Sequence, residues 1–133
     1  MDAKNLLAAI QNAFPNKTLI LDVWATWCGP CIHDMKNSKD SKAALKELAV
    51  EVIYLCVEDG SSNKKWEKTV AGLKTEGTHI FLEKELANSV MDFFDLNSYP
   101  SHVFIDKEGN WDTNFIYSIA DLDIEQLKIR LLK

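Results

Sequence analysis

The chain has 133 residues, 47% of them hydrophobic, and its 15 basic and 20 acidic side chains leave a formal charge of −5. This length suits one buried core, and the negative charge offers nucleic-acid phosphates little to bind. No apolar run approaches the ~20 residues of a membrane helix, and Met1–Lys4 lacks the layout of a signal peptide. We expect a single monomeric domain over 1–133, without nucleic-acid partners or membrane insertion.

The hydrophobic pattern of the first half predicts two helices and two strands. Helical spacing of apolar residues predicts a helix over 2–14, and the apolar run Thr18–Trp24 predicts a central parallel strand covered on both faces. A long helix is expected from the following cysteine pair to about Ala49, because no glycine or proline interrupts its later part. Glu51–Val57 is the next predicted strand.

The second half continues the alternation of strands and helices. After a turn cluster, the predicted elements are a helix to about Leu73, a strand over Gly77–Leu82, a helix over Glu83–Phe94, a hairpin of Ser101–Asp106 and Asn110–Ser118, and a helix over Asp121–Leu132. The order α-β-α-β-α-β-α-β-β-α indicates an α/β fold with a central mixed sheet flanked by helices.

Cys28 and Cys31 are separated by Gly29 and Pro30 at the expected junction of the central strand and the long helix. Disulfide exchange needs one thiolate open to attack and a second thiol that expels the resulting mixed disulfide. At the helix N-terminus, the dipole and free amides favour the Cys28 thiolate, whereas Cys31 lies one turn inside and is shielded. Gly29 permits the tight entry and Pro30 suits the first helical turn. We therefore predict Cys28 as the nucleophile and Cys31 as the resolving cysteine.

The stretch Asp22–Cys31 resembles the active-site segment of thioredoxins, and Tyr99–Gly109 resembles the cis-proline strand and hairpin of the same superfamily. The length between them is similar to that of the TlpA-like (AhpC/TSA-related) branch of exported thiol:disulfide oxidoreductases, in which an extra helix and strand precede the cis-proline. The resemblance implies a thioredoxin fold with Trp66–Leu82 as this insertion and Pro100 as the cis-proline.

The resemblance also implies an activity: reduction of protein disulfides, with the Cys28–Cys31 pair as the only cofactor and an upstream thiol donor as partner. It implies an extracytoplasmic, periplasmic setting of the kind in which cytochromes mature. Asp22 matches the buried acid that helps to deprotonate the resolving cysteine, and a carboxylate in a covered strand loses hydration and should hold its proton more tightly. The expected substrate-contacting residues are Trp27, Gly29, Pro30, Tyr99 and Pro100.

Three departures from the family pattern stand out. Lys36 replaces the proline that usually kinks the second helix, so we expect no kink. Tyr54 or a neighbour occupies the place of the lysine that pairs with the buried aspartate in thioredoxins. No strand precedes the first helix, which suggests a domain of a longer exported protein.

Several other residues have structural interpretations. Cys56 lies in an apolar run and is expected to be a buried thiol, and Trp24 is expected in the core. We interpret His33 as a surface side chain, and His79 and His102 as strand residues.

Three other functions could use cysteines in this kind of segment. Zinc binding lacks a second cysteine pair to complete four ligands, so no metal is expected. A thiol peroxidase would carry a proline that the segment Val23–Cys28 lacks. A thioredoxin-fold binding module, whose cysteines only lock the structure, remains the alternative to the oxidoreductase.

Overall fold

The computed structural model describes residues 1–132, which form six helices and five strands. In chain order these are α1 Ala3–Ala13, β1 Thr18–Trp24, α2 Gly29–Lys36, α3 Lys39–Glu47, β2 Val50–Val57, α4 Asn63–Leu73, β3 Thr78–Leu82, α5 Lys84–Phe93, β4 Ser101–Ile105, β5 Trp111–Asp112 and α6 Ile124–Leu131.

The strands form one mixed sheet in the order β3-β2-β1-β4-β5. β1 pairs parallel with β2 and antiparallel with β4, and β2 pairs parallel with β3. Every residue of β1 is buried, and because successive side chains point to opposite faces, both faces of the sheet are covered there. The predicted fold class and the central position of Thr18–Trp24 are confirmed.

The single long helix predicted after the cysteines is wrong: α2 ends at Lys36 and α3 begins at Lys39. The absence of a proline therefore does not keep this helix continuous. The Asn37 side chain donates to the His33 carbonyl at 2.7 Å, and the Ser38 hydroxyl donates to the Met35 carbonyl at 2.9 Å. The Met35 carbonyl would accept the Lys39 N–H in a continuing helix, so the Ser38 hydroxyl competes with the backbone there and helps to end α2 without proline.

The strand predicted over Asn110–Ser118 is also wrong beyond its first residues, because β5 contains only Trp111 and Asp112. The Asp112 carboxylate accepts the Asn114 N–H at 2.8 Å, an Asx-type turn that ends the strand. The segment then leaves the sheet and turns back toward α2.

The predicted extra helix and strand correspond to α4 and β3, which lie between β2 and α5 and before Pro100. Within residues 1–132, no helix combines the length and the apolar character that a membrane crossing requires.

Candidate functional site

The cysteine pair lies where β1 gives way to α2, as predicted. Cys28 is the N-cap of α2 and forms a disulfide with Cys31. The Cys28 sulfur accepts the backbone N–H of Cys31 at 3.2 Å, and Pro30 occupies the first turn. The Cys31 amide, which has no carbonyl partner within the helix, and the positive end of the helix dipole thus face the Cys28 sulfur, and both favour its thiolate after reduction.

The expected difference in exposure between the two cysteines is not present in this disulfide form. Cys28 is 3% exposed and Cys31 is 2% exposed. The reason is that the covalent bond ties the Cys28 sulfur to the buried Cys31. In this form the helix position of Cys28, rather than its exposure, distinguishes the two cysteines.

Trp27, which directly precedes Cys28, is 53% exposed but is held by contacts with the loop after β2. Its indole N–H donates to the Asp59 carbonyl. Gly60 lies beneath the ring with φ of +72°, and a Cβ there would come within 2.8 Å of the indole nitrogen. Nearby, the Thr26 N–H donates to the Ser61 hydroxyl at 3.0 Å. The loop after β2 therefore fixes the loop that carries the cysteines.

Tyr99 and Pro100 lie at the same edge of the sheet, and the peptide bond between them is cis, as expected. The Tyr99 ring meets Trp27 edge-on with 5.7 Å between centroids, and its hydroxyl donates to the Asp59 carboxylate at 3.1 Å. Burial and the neighbouring Asp59 carboxylate raise the pKa of Tyr99 to about 12. Asp59 therefore holds both aromatic side chains through its carbonyl and its carboxylate.

A groove of about 750 Å³ runs beside the cysteine turn. The predicted substrate-contacting residues Gly29, Pro30 and Pro100 line it, together with Tyr117, whose side chain is 92% exposed. A polypeptide that approaches the disulfide along this groove would contact these four residues.

Asp22 is buried in β1, where it stands opposite Tyr54 of β2 and opposite His102 of β4. Tyr54, one of the residues expected at the place of the family lysine, therefore stands beside Asp22 in the sheet. The Asp22 Oδ2 lies 3.6 Å from His102 Nε2, while its Oδ1 is buried without a hydrogen-bond partner. Burial raises the pKa of Tyr54, so this neighbour is a neutral phenol.

Asp34, on α2, is a site residue that the sequence reasoning missed. Its carboxylate accepts the Ser118 hydroxyl at 2.6 Å and the N–H groups of Ile119 and Ala120 at 3.1 and 2.8 Å. Its Oδ2 also lies 3.6 Å from His102 Nε2. Burial opposes ionisation, but His102 and these hydrogen bonds lower the pKa of Asp34 to about 2.

His102 lies in β4, which confirms the prediction that it is a strand residue. The sequence does not predict its contact with Asp22. Burial disfavours the imidazolium, yet the contacts with Asp22 and Asp34 outweigh it and raise the pKa of His102 to about 9. Two positions in the sequence indicate that these residues lie near the site. His102 follows Pro100 by two residues, and Asp34 follows Cys31 by three residues on the same helix.

The side chains of Asp22, Asp34 and His102 bring one donor atom each to within 4.8 Å of one another. They offer three donors, whereas a structural zinc site takes four, and both Asp34 oxygens already accept hydrogen bonds. The attraction between one imidazolium and two carboxylates accounts for the grouping, so we describe it as an ion-pair network.

The remaining predicted positions agree with the structure. Trp24 and Cys56 are fully buried, and burial raises the pKa of the Cys56 thiol to about 12. His33 is exposed on α2. His79 is half-buried in β3 and stacks on Tyr54 with 4.7 Å between centroids.

Comparison with known proteins agrees with this geometry. Thiol-disulfide oxidoreductase ResA of Oceanobacillus iheyensis is 30% identical over 94 residues, which cover 70% of this chain and 46% of ResA. Thioredoxin-like protein YneN of Bacillus subtilis is 25% identical over 121 residues, covering 90% of this chain and 67% of YneN. The chain thus spans about half the length of ResA.

A solved structure shares the fold: the thioredoxin domain of a thiol-disulfide oxidoreductase from Bacteroides vulgatus superposes with a TM-score of 0.75 at 16% identity, over 90% of this chain and 83% of that one. The family model described as thioredoxin-like matches residues 16–111, which hold the cysteine pair, Asp22, Pro100 and β1 to β4. The chain belongs to the thioredoxin-like family.

Proposed function

We propose that this protein is a thiol:disulfide oxidoreductase that reduces disulfides in client proteins. The observation that carries the proposal is the Cys28–Cys31 pair at the N-terminus of α2, with the Cys28 sulfur accepting the Cys31 N–H. The names of the relatives ResA and YneN support the same class of chemistry.

The reaction uses two thiol–disulfide exchanges. The Cys28 thiolate attacks one sulfur of a client disulfide, which forms a mixed disulfide and releases the other client sulfur as a thiolate. The Cys31 thiol then loses its proton and attacks the Cys28 sulfur, which expels the second client thiolate. The client gains two electrons and the cysteine pair becomes the disulfide, so no further cofactor is needed.

The proton of Cys31 needs an acceptor in a site closed to water, and we assign this role to Asp22. Its carboxylate is buried and its Oδ1 has no hydrogen-bond partner, which leaves that oxygen free to take a proton. The client chain would lie against Trp27, Tyr99 and Pro100, and the exposed indole of Trp27 would offer it apolar contact area. It would continue along the groove past Gly29 and Pro30.

Reduction of clients consumes the dithiol, so an upstream thiol donor must restore it. From the resemblance to exported reductases, we propose that the protein acts outside the cytoplasm, in the periplasm. We also propose that it is a monomer. Cell fractionation after expression of the full-length gene product tests the location. Gel filtration of the purified chain tests the oligomeric state.

Insulin reduction by the purified chain with dithiothreitol as donor tests the activity. We expect turnover by the wild type and none by Cys28→Ser. If neither the wild type nor Cys28→Ser accelerates insulin reduction beyond the rate with dithiothreitol alone, the proposed reaction is wrong. The cysteines would then serve only to lock a binding module.

A further inference from the structure

His102 is a buried residue of β4 whose imidazole meets carboxylates from two other elements. β4 runs antiparallel to β1 with His102 directly opposite Asp22, and cross-strand partners project to the same face of a sheet. Asp34 reaches the same ring nitrogen from α2. His102 and Asp22 are each 2% exposed and Asp34 is 6% exposed.

The two carboxylates differ in what else they contact. Asp34 accepts three hydrogen bonds from the segment 118–120, so its charge is satisfied in several ways. Asp22 accepts none, and among the described residues His102 is the only basic group within 4.0 Å of it. A buried carboxylate without a counter-charge costs several kcal/mol, so the charge of Asp22 depends on His102.

Other titratable groups face the cluster but do not supply this charge. Tyr54 is neutral because its pKa is raised by burial and by the two carboxylates. Burial lowers the pKa of His79, which stacks on Tyr54. Lys42 on α3 is a more distant cation that also attracts Asp22: it forms no ion pair with Asp22 within 4.0 Å among the described residues, its Nζ lies 5.0 Å from the Tyr54 ring centroid, and burial lowers its pKa against the attraction of Glu76, Asp22 and Glu51.

The network also leads to the resolving cysteine. Asp34 follows Cys31 by three residues on α2, and side chains at that spacing are neighbours on one helix face. The segment 118–120 is tied to Asp34, so β1, β4, α2 and the chain before α6 all meet at this network, which shares α2 with Cys31.

We propose that His102 is a positioning residue of the redox site, whose imidazolium keeps the Asp22 carboxylate ionised and thereby able to take the proton of Cys31. The inference rests on the proposed function and deepens it. His102 provides from β4 the positive charge that Tyr54 does not provide from β2. It moves no electrons and does not touch the client.

The ion pair can be tested without any activity measurement. In the oxidised His33→Gln/His79→Gln protein, His102 is the only imidazole, and its titration can be followed by NMR with and without Asp22→Asn. We expect His102 to stay protonated through neutral pH, and Asp22→Asn to lower its titration midpoint by about one unit or more. A midpoint near the ordinary 6.5, or one that Asp22→Asn leaves in place, overturns the proposal.

The role in proton transfer is tested by the pH profile of mixed-disulfide resolution. Reduced protein is mixed with oxidised glutathione, and acid quenching at set times measures the mixed disulfide. In His102→Gln, the Asp22 carboxylate loses its contacting counter-charge, so we expect the profile to move to alkaline pH by about one unit, whereas Lys42→Gln, which removes a more distant cation, should move it less.

A His102→Gln protein that resolves the mixed disulfide with the wild-type pH profile would overturn this role, as would a shift seen only in Lys42→Gln. A purely structural role would lower stability without moving the profile. If His102→Gln does not fold, the imidazole titration decides, since it keeps His102. Absence of any reduction by the wild type would instead contradict the proposed function, and the titration would still decide the ion pair.

Discussion

The Cys28 sulfur accepts the backbone N–H of Cys31, with 3.2 Å between sulfur and nitrogen. This hydrogen bond joins the two redox partners through the first turn of α2, and it assigns different environments to two cysteines that are equally buried as a disulfide. The helix terminus favours the thiolate of Cys28 alone.

Because the two thiols play different parts, the single variants should fail differently. Cys28→Ser should abolish disulfide reduction, whereas Cys31→Ser should accumulate mixed disulfides with clients, since only the resolving thiol expels the first adduct. Non-reducing electrophoresis and mass spectrometry of trapped adducts measure the difference. Equal absence of adducts in both variants would contradict the assignment of roles.

The reduction potential should lie on the thioredoxin side, below about −220 mV. Stabilising the Cys28 thiolate makes the pair more oxidising, and the helix dipole contributes only on the order of 1 kcal/mol. Only Gly29 and Pro30 separate the cysteines, so no cation lies between them. Equilibration with glutathione and then dithiothreitol buffers, followed by Trp27 fluorescence, gives the value. A potential above about −180 mV, that of protein disulfide isomerase, would mean that the protein oxidises or isomerises its clients.

Cys56 should not take part in the exchange. It is fully buried, and burial raises the pKa of its thiol to about 12, so hardly any thiolate forms at neutral pH. In the Cys28→Ser/Cys31→Ser protein, a thiol reagent should label Cys56 only after unfolding. Rapid labelling of the folded double variant would show that this prediction is wrong.

Gly60→Ala should displace Trp27. The new Cβ would lie 2.8 Å from the indole nitrogen, and the backbone φ of +72° disfavours any side chain. We expect a loss of about 1–2 kcal/mol in the free energy of unfolding and a changed Trp27 fluorescence. Gly72→Ala is the matched control, because no atom lies within 4 Å of its added Cβ, and it should be neutral or stabilising within α4. An equal effect of the two substitutions would contradict the packing of Trp27 on Gly60.

The ion pairs of His102 should make stability fall at alkaline pH. Its pKa is raised from 6.5 to about 9 in the folded state, so their contribution is fully present below pH 6.5 and is lost as the pH rises through 9. The loss should reach about 3 kcal/mol at most. Urea unfolding of the oxidised protein between pH 6 and 10 measures it. His102→Gln should lack this loss, and an unchanged pH dependence in that variant would refute the prediction.

The sequence by itself determined the elements whose evidence is local. The apolar run Thr18–Trp24 has the pattern of a strand covered on both faces, and the Cys28–Cys31 spacing at its end identifies a helix-terminal dithiol. Burial of Cys56 and of Trp24 followed from the character of their neighbours, because an apolar segment has to be removed from water wherever it lies in the fold.

Local patterns gave the wrong result where side chains compete with the backbone for hydrogen bonds. The Ser38 hydroxyl helps to end α2 without a proline, because it takes the Met35 carbonyl that the next backbone N–H would use. The predicted strand over Asn110–Ser118 stops after Asp112, and the segment beyond it donates N–H groups to Asp34. That acceptor lies far away in sequence, so no pattern within the segment could predict it.

Tertiary structure alone decided the surroundings of Asp22. The sequence identified the buried acid and the missing lysine, but only the register of β4 on β1 places His102 opposite Asp22, and only the packing of α2 brings Asp34 to the same ring nitrogen. A strand register is fixed by the pairing of whole strands, and a one-residue slip would turn His102 to the other face of the sheet. The electrostatic environment of Asp22 is therefore a property of the assembled fold, because its contacting basic group, His102, lies 80 residues further along the chain.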